Sequence, residues 1–360
     1  MIRSDNARRQ FLRAVTSLAA GQRLQGPGLS LATSLAGLGA LAAQTSHAAD
    51  ANGPYKALVC LFMHGGSDSH NWVVPTDPTG YAQYAAARGD LAWPIERLEA
   101  IASAGQAAGR SFGMPTELSP LRKWYALGQA GIVANVGPLV RPITKSEYQA
   151  GVALPSKLFS HNDQASTWQS LRPEGAPSGW GGRMGDILMS ANAYPAFTSI
   201  SVTGNAVFLS GSQVTQYQVG TEGPVQVGGL ASSSVLGSTR APAALQRQLA
   251  ATGSHPLQAE YTRVMQRAIG TSSVLQTALG TVAVPAIPAT LLPNGTNTIT
   301  LDKTGLARQL RMVAQLVAAG QTLGMRRQVF MVSMGGFDTH ANQMRDQPGH
   351  MAQVAHAVDY

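Results

Sequence analysis

The sequence predicts an α/β fold on three observations. Lys56–Met63 is a nearly continuous apolar run that ends in His64-Gly65-Gly66. Residues 328–334 form a second such run, which follows a long helical pattern at 306–323 and again ends in paired glycines, Gly335-Gly336. A third run at 131–137 comes after a short helical segment. Runs of this kind, apolar on both faces, suit strands buried in a parallel sheet, and helix followed by strand is the βαβ unit. With 360 residues, the chain is long enough to bury a large core.

At the N-terminus, Arg8-Arg9 in Asn6-Ala7-Arg8-Arg9-Gln10-Phe11-Leu12-Arg13 has the form of a twin-arginine export signal. A weakly apolar, glycine-interrupted stretch follows, then Ser46-His47-Ala48, and cleavage is expected after Ala48. The signal spans 1–48 and leaves one α/β domain at 49–360. It implies one partner, the twin-arginine translocation machinery, and a periplasmic or extracellular location. Gln22, Arg23, Gln25 and Pro27 break the apolar stretch before it reaches the roughly 18 to 20 residues of a spanning helix, so no stable membrane span is expected. The segment carries five arginines and one aspartate, so its removal lowers the formal net charge from +8 to +4. Among the remaining residues no basic cluster is interleaved with aromatics, which argues against a nucleic-acid partner. A lone cysteine, Cys60, lies in an apolar run and forms no intrachain disulfide, in keeping with folding in a reducing compartment before export.

Along the mature chain, Ser119 and Pro120 open a helix to Leu127. Residues 197–202 and 205–209 read as a strand pair around Gly204. Residues 211–242 are rich in Gly, Ser, Thr, Val and Gln and nearly uncharged, which suits a surface excursion better than core. Residues 256–279 read as a helix, 285–300 as a Pro- and Thr-rich loop, and 350–360 as a helix without a stop signal, so the C-terminus is expected to be truncated.

Three segments carry candidate chemistry. In His64-Gly65-Gly66-Ser67-Asp68-Ser69-His70-Asn71 the glycines turn the chain sharply at a strand end. Asp68 there either binds a divalent metal, with Asn71 placing an oxyanion, or both residues bond the turn backbone. In Phe159-Ser160-His161-Asn162-Asp163, Ser160 is either a nucleophile at a helix start or a helix cap. In Gly335-Gly336-Phe337-Asp338-Thr339-His340, Asp338 and His340 stand two apart and offer a hard oxygen and an imidazole to one metal; alternatively Asp338 caps the next helix. His350 and His356 take no assigned role.

The order of these segments, residues 62–71 leading to Val74-Pro75, residues 158–164 with Trp168, and residues 335–340 with Gln343, resembles the bacterial family known as domain of unknown function 1501, in the alkaline-phosphatase-like superfamily. The resemblance implies a three-layer α/β/α sandwich, incomplete at the C-terminus, with a divalent metal, zinc or similar, beside a hydroxyl nucleophile used on phosphate or sulfate esters. Carried over by position, Asp68, Asp338 and His340 are metal ligands, and Ser160 is the nucleophile with His161 and Asp163 beside it. The expected function is an exported metal-dependent hydrolase-like protein. A non-catalytic envelope protein that uses the same fold to bind a polymer or protein partner is the alternative, with the 211–239 excursion as its surface.

Overall fold

Strand β1 (Lys56–Met63) falls where the first apolar run lies. It belongs to the larger of two units in a computed structural model that describes residues 53–102, 105–230, 232–251 and 255–360. Among the described residues the larger unit is 53–134 with Pro177–Tyr360, and the smaller is Asn135–Ala176. The proposed export signal lies outside the described residues.

In the larger unit β1 is followed by β2 (Val74–Pro75), α1 (Pro78–Arg88), β3 (Leu98–Ile101), β4 (Phe112–Pro115) and α2 (Ser119–Ala126). The smaller unit contributes α3 (Lys145–Gln149) and α4 (His161–Ser170). The larger unit resumes with α5 (Trp180–Leu188), β5 (Ser199–Ser201), β6 (Tyr217–Gly220), β7 (Gly223–Pro224), α6 (Ala241–Ala250) and α7 (Pro256–Leu279). It ends with β8 (Leu291–Asn294), β9 (Asn297–Thr300), α8 (Gly305–Ala319), β10 (Arg327–Met334) and α9 (Gln343–Asp359).

The main sheet has the order β1-β10-β5-β6-β7 and is parallel except for β7. β1 and β10 pair along their full lengths, from Lys56 opposite Arg327 to Met63 opposite Met334. β10 is buried between β1 and β5, and its side chains alternate between two apolar clusters, as the two-residue period of a strand requires. Phe330 and Val332 join Leu275 of α7, Leu316 and Ala319 of α8, and Ala352 and Ala357 of α9. Val329 and Met331 join Phe208 and Leu209, with Trp180 and Leu188 of α5 against them. A second, antiparallel sheet, β2-β4-β3, packs Val74 and Met114 with Tyr84, Trp93 and Leu118. Met351 and Ala355 of α9 complete that cluster, so α9 serves both cores.

Local chemistry accounts for the helix starts. Asp77 Oδ1 accepts from Gly80 N at 2.8 Å and Pro78 fills the first turn of α1. Thr304 caps α8 through Ala307 N. The long helix α7 matches the expected 256–279, while α8 stops at Ala319, short of Leu323.

Several expectations are corrected. β1 is paired on one side only among the described residues and Val59 is 39% exposed, so it is an edge strand and not a fully buried one. Residues 131–137 form no strand: Ile132, Val133 and Val136 are exposed, and Asn135 takes φ +57°, which an extended strand does not accommodate. Residues 197–209 hold only β5, paired in parallel on both sides, and Val207–Leu209 is a 3₁₀ turn whose Phe208 and Leu209 are buried. The 211–242 segment supplies β6 and β7 to the main sheet, with Val219 buried, so part of it is core. The Pro- and Thr-rich loop contains the β8–β9 hairpin, whose two-residue connection starts with Gly295 at φ +60°, the position where a type II′ turn takes glycine. No helix of the described residues is long and apolar enough to cross a membrane.

Phe330 is fully buried between α8 and the sheet. Phe330→Ala is expected to cost about 3 to 5 kcal/mol in urea unfolding, with the slope unchanged.

Candidate functional site

Because β1 and β10 run parallel in full register, their carboxyl ends coincide, and the two glycine-rich segments leave the sheet side by side. The ladder continues one step past the strands: His64 N donates to Met334 O at 2.8 Å, and Phe337 N donates to His64 O at 3.2 Å. Gly65 (φ +106°), Gly66 (φ +93°) and Gly336 (φ +90°) then turn the chains. At Gly65 the need for glycine is double, since a Cβ there would lie 2.8 Å from Asp338 N and closer still to the Asp338 carboxylate.

Asp68 is held on every side. Oδ1 accepts from His70 N at 3.0 Å, as a turn-forming Asx residue does. Oδ2 pairs with the Arg88 guanidinium and accepts from Gln343 Nε2 at 2.5 Å. Gln347 Nε2 donates to the Asp68 carbonyl at 2.9 Å. Burial opposes ionisation of Asp68, but the bonds from Gln343, His70 and Arg88 outweigh it and hold the carboxyl below its ordinary value. Asn71 is fully buried. Its amide donates to Leu91 O at 2.9 Å, and its oxygen accepts from Tyr84 Oη at 2.8 Å. That side chain is spent on the scaffold and is not aimed at an oxyanion.

Asp338 and His340 are the open pair. His340 takes φ +48°, its side chain is largely exposed, and Nε2 lies 3.8 Å from Asp338 Oδ2. Behind them the ring of His350 of α9 lies tilted against Phe337, with centroids 5.1 Å apart. Burial pushes its imidazole below the ordinary range, against the pull of Asp346 and Asp338. His350 Nδ1 and Ser67 Oγ are buried with no hydrogen-bond partner among the described residues, the condition in which a water or ligand atom completes a site. His64 packs edge-on against Phe62, and burial lowers its pKa.

Ser160, His161 and Asp163 belong to the smaller unit. Ser160 precedes α4 but its side chain does not cap the helix; Oγ donates instead to Asp163 Oδ2 at 2.7 Å. Asp163 Oδ1 accepts from Glu174 N at 3.0 Å. The Ser160 hydroxyl and the Glu174 N–H hold the Asp163 carboxyl below its ordinary value. Asn162 and His161 are exposed, and Phe159, just before Ser160, takes φ +71°.

Of the expected ligands, Asp338 and His340 are brought together, while Asp68 lies on the neighbouring loop with its carboxylate already neutralised. Among the described residues no three His, Cys, Asp or Glu side chains gather in a way that would hold a metal ion. Asp68 is set apart from the Asp338–His340 pair by its own bonds, since Arg88 and Gln343 take Oδ2 and His70 N takes Oδ1. Arg88, Gln347 and His350 were not singled out by motif. Their signal was faint: Gln343 and Gln347 are four apart on one helix face, and so are Asp346 and His350.

Gly65→Ala is expected to destabilise by at least about 1 kcal/mol, read as a lowered urea midpoint, from strain at positive φ and collision with Asp338. For Asp68, a folded pKa below the unfolded one means stability present above about pH 4 that is lost as pH falls through the folded value. Acid titration of the urea midpoint should therefore fall more shallowly in Asp68→Asn than in wild type; identical slopes would dismiss the ion pair as a source of stability. No protein-family model matches the chain, and no curated protein or solved structure matches it.

Proposed function

We propose that the chain is an exported hydrolase-like protein that acts on phosphate or sulfate esters, built as an alkaline-phosphatase-like sandwich. Its main support is the exposed Asp338–His340 pair at the carboxyl edge of a mostly parallel sheet, where open α/β sheets bind ligands. The export part rests on the Arg8-Arg9 segment alone. A divalent cation, zinc or similar, fits Asp338 and His340 as a hard-oxygen and imidazole donor set, and does not fit Asp68 while Arg88 holds it. Such a cation would supply Lewis acidity toward an ester oxygen.

The chain's own residues would divide the remaining work. Ser160 is the candidate nucleophile, its proton directed at Asp163 Oδ2. With its pKa held low, Asp163 orients that hydroxyl better than it removes the proton. His161, exposed at the first position of α4, is within the same segment as a general-acid candidate. A non-catalytic envelope protein that binds a polymer or protein partner is the second reading, favoured by the commitment of Asp68 to the scaffold network.

Elemental analysis of the purified full chain, with a panel of aryl phosphate and sulfate esters, tests the choice. The hydrolase predicts stoichiometric divalent metal that is lost in Asp338→Ala, and turnover that falls roughly a thousandfold or more in Ser160→Ala. No turnover on either ester class, with metal content unaffected by Asp338→Ala, would leave the binding protein as the better description.

A further inference from the structure

Away from the β1 and β10 loops, a cavity of about 200 Å³ opens at the carboxyl end of β6. Thr221 and Glu222, the two-residue turn between β6 and β7, form one wall. Ile287 adds an apolar surface, and Asp302 comes from the 3₁₀ turn ahead of α8. Arg308 and Arg311 complete the lining, three apart on α8 and so on one helix face.

The two arginines and two carboxylates of this cavity balance in sum but do not pair with one another among the described residues. Neither guanidinium makes a hydrogen bond or ion pair among the described residues, although two carboxylates share the same walls. Asp302 is met by Lys303 at 3.2 Å instead, and Glu222 has no partner among the described residues. Two unpaired guanidiniums lining one concave space, with Thr221 also in its wall, match the fork-shaped recognition of an oxoanion. An uncompensated carboxylate across the same space suits a cationic group on the same ligand.

We propose that this cavity binds a small zwitterion, its oxoanion held by Arg308 and Arg311 and its ammonium group facing Glu222. The site is independent of the hydrolase reading: none of its lining residues belongs to the Asp338–His340 loop, and binding is read without turnover. Both arginines lie on a helix whose buried face carries the packing, so their replacement leaves the core intact.

Isothermal titration of the full chain tests it with four probes: phosphoethanolamine, β-alanine, inorganic phosphate and ethanolamine. Phosphoethanolamine or β-alanine is expected to bind at one site about tenfold or more tighter than inorganic phosphate or ethanolamine, and the better of the two tells phosphate from carboxylate. Arg308→Gln and Arg311→Gln are each expected to weaken that binding about tenfold with unchanged thermal midpoints. Glu222→Gln should erase the preference over inorganic phosphate. Absence of saturable binding by all four probes, or binding unaltered in the double arginine variant, would overturn the site; affinity of both phosphoethanolamine and β-alanine no greater than that of inorganic phosphate would overturn the zwitterion.

Discussion

The pairing of β1 with β10 is the constraint on which the larger unit depends. Eight residues of each strand run in parallel register, yet they come from opposite ends of that unit, so no hairpin can bring them together. The cost of closing so long a loop rises only slowly with its length, and a full-length ladder with a buried central strand offsets it. β10 has neighbours on both edges and clusters on both faces, which is why Val329, Phe330, Met331 and Val332 are all essentially inaccessible. A slip of one residue would exchange the Phe330 and Val332 face with the Val329 and Met331 face and misplace both glycine turns.

That register also sets two aspartates at one sheet edge in opposite circumstances. Asp68 is reached by Arg88 from the last turn of α1 and by Gln343 from the first turn of α9, so its charge is met inside the protein. Asp338 leaves the neighbouring strand with its side chain exposed, with His340 beside it and the partly buried His350 behind. An ion pair that is partly buried costs desolvation on both partners, and here extra hydrogen bonds from Gln343 Nε2 and His70 N satisfy the carboxylate. The same arrangement that makes Asp68 a good brace removes it from ligand binding. Environment, more than residue type, divides the two roles.

The long periodic elements were legible in the sequence because each carries its own signal. β1, α7 and α8 stand where apolar runs and helical spacing put them. Strands of two to four residues such as β2, β5 and β7 have too few positions for a period, and exist because a neighbouring strand pairs with them. The 131–137 run shows the converse: apolar composition without a pairing partner gives exposed, irregular chain. At the site, Asp68, Asp338 and His340 were legible because glycine turns after apolar strands mark loops at a sheet end. Whether a carboxylate there is free or paired was not legible, since Arg88 and Gln343 approach through tertiary packing that no local spacing encodes.

Parallel strands also explain why the two candidate sites share an edge. β6 runs parallel to β5, β5 to β10 and β10 to β1, so the cavity at the end of β6 opens on the same side of the sheet as the Asp338 loop. Two strand spacings separate β10 from β6, roughly 10 Å at the usual distance between neighbours. Their chemistry differs in kind: the β6 end presents cationic forks from α8, and the β10 end presents an oxygen and an imidazole. α8 contributes to both, because Gln309 anchors it by bonding Ser333 N at 2.9 Å and Ser333 O at 3.0 Å while Arg308 and Arg311 flank that anchor. The anchor fixes where the two guanidiniums emerge, so the position of the cavity follows from the strand that also delivers Asp338.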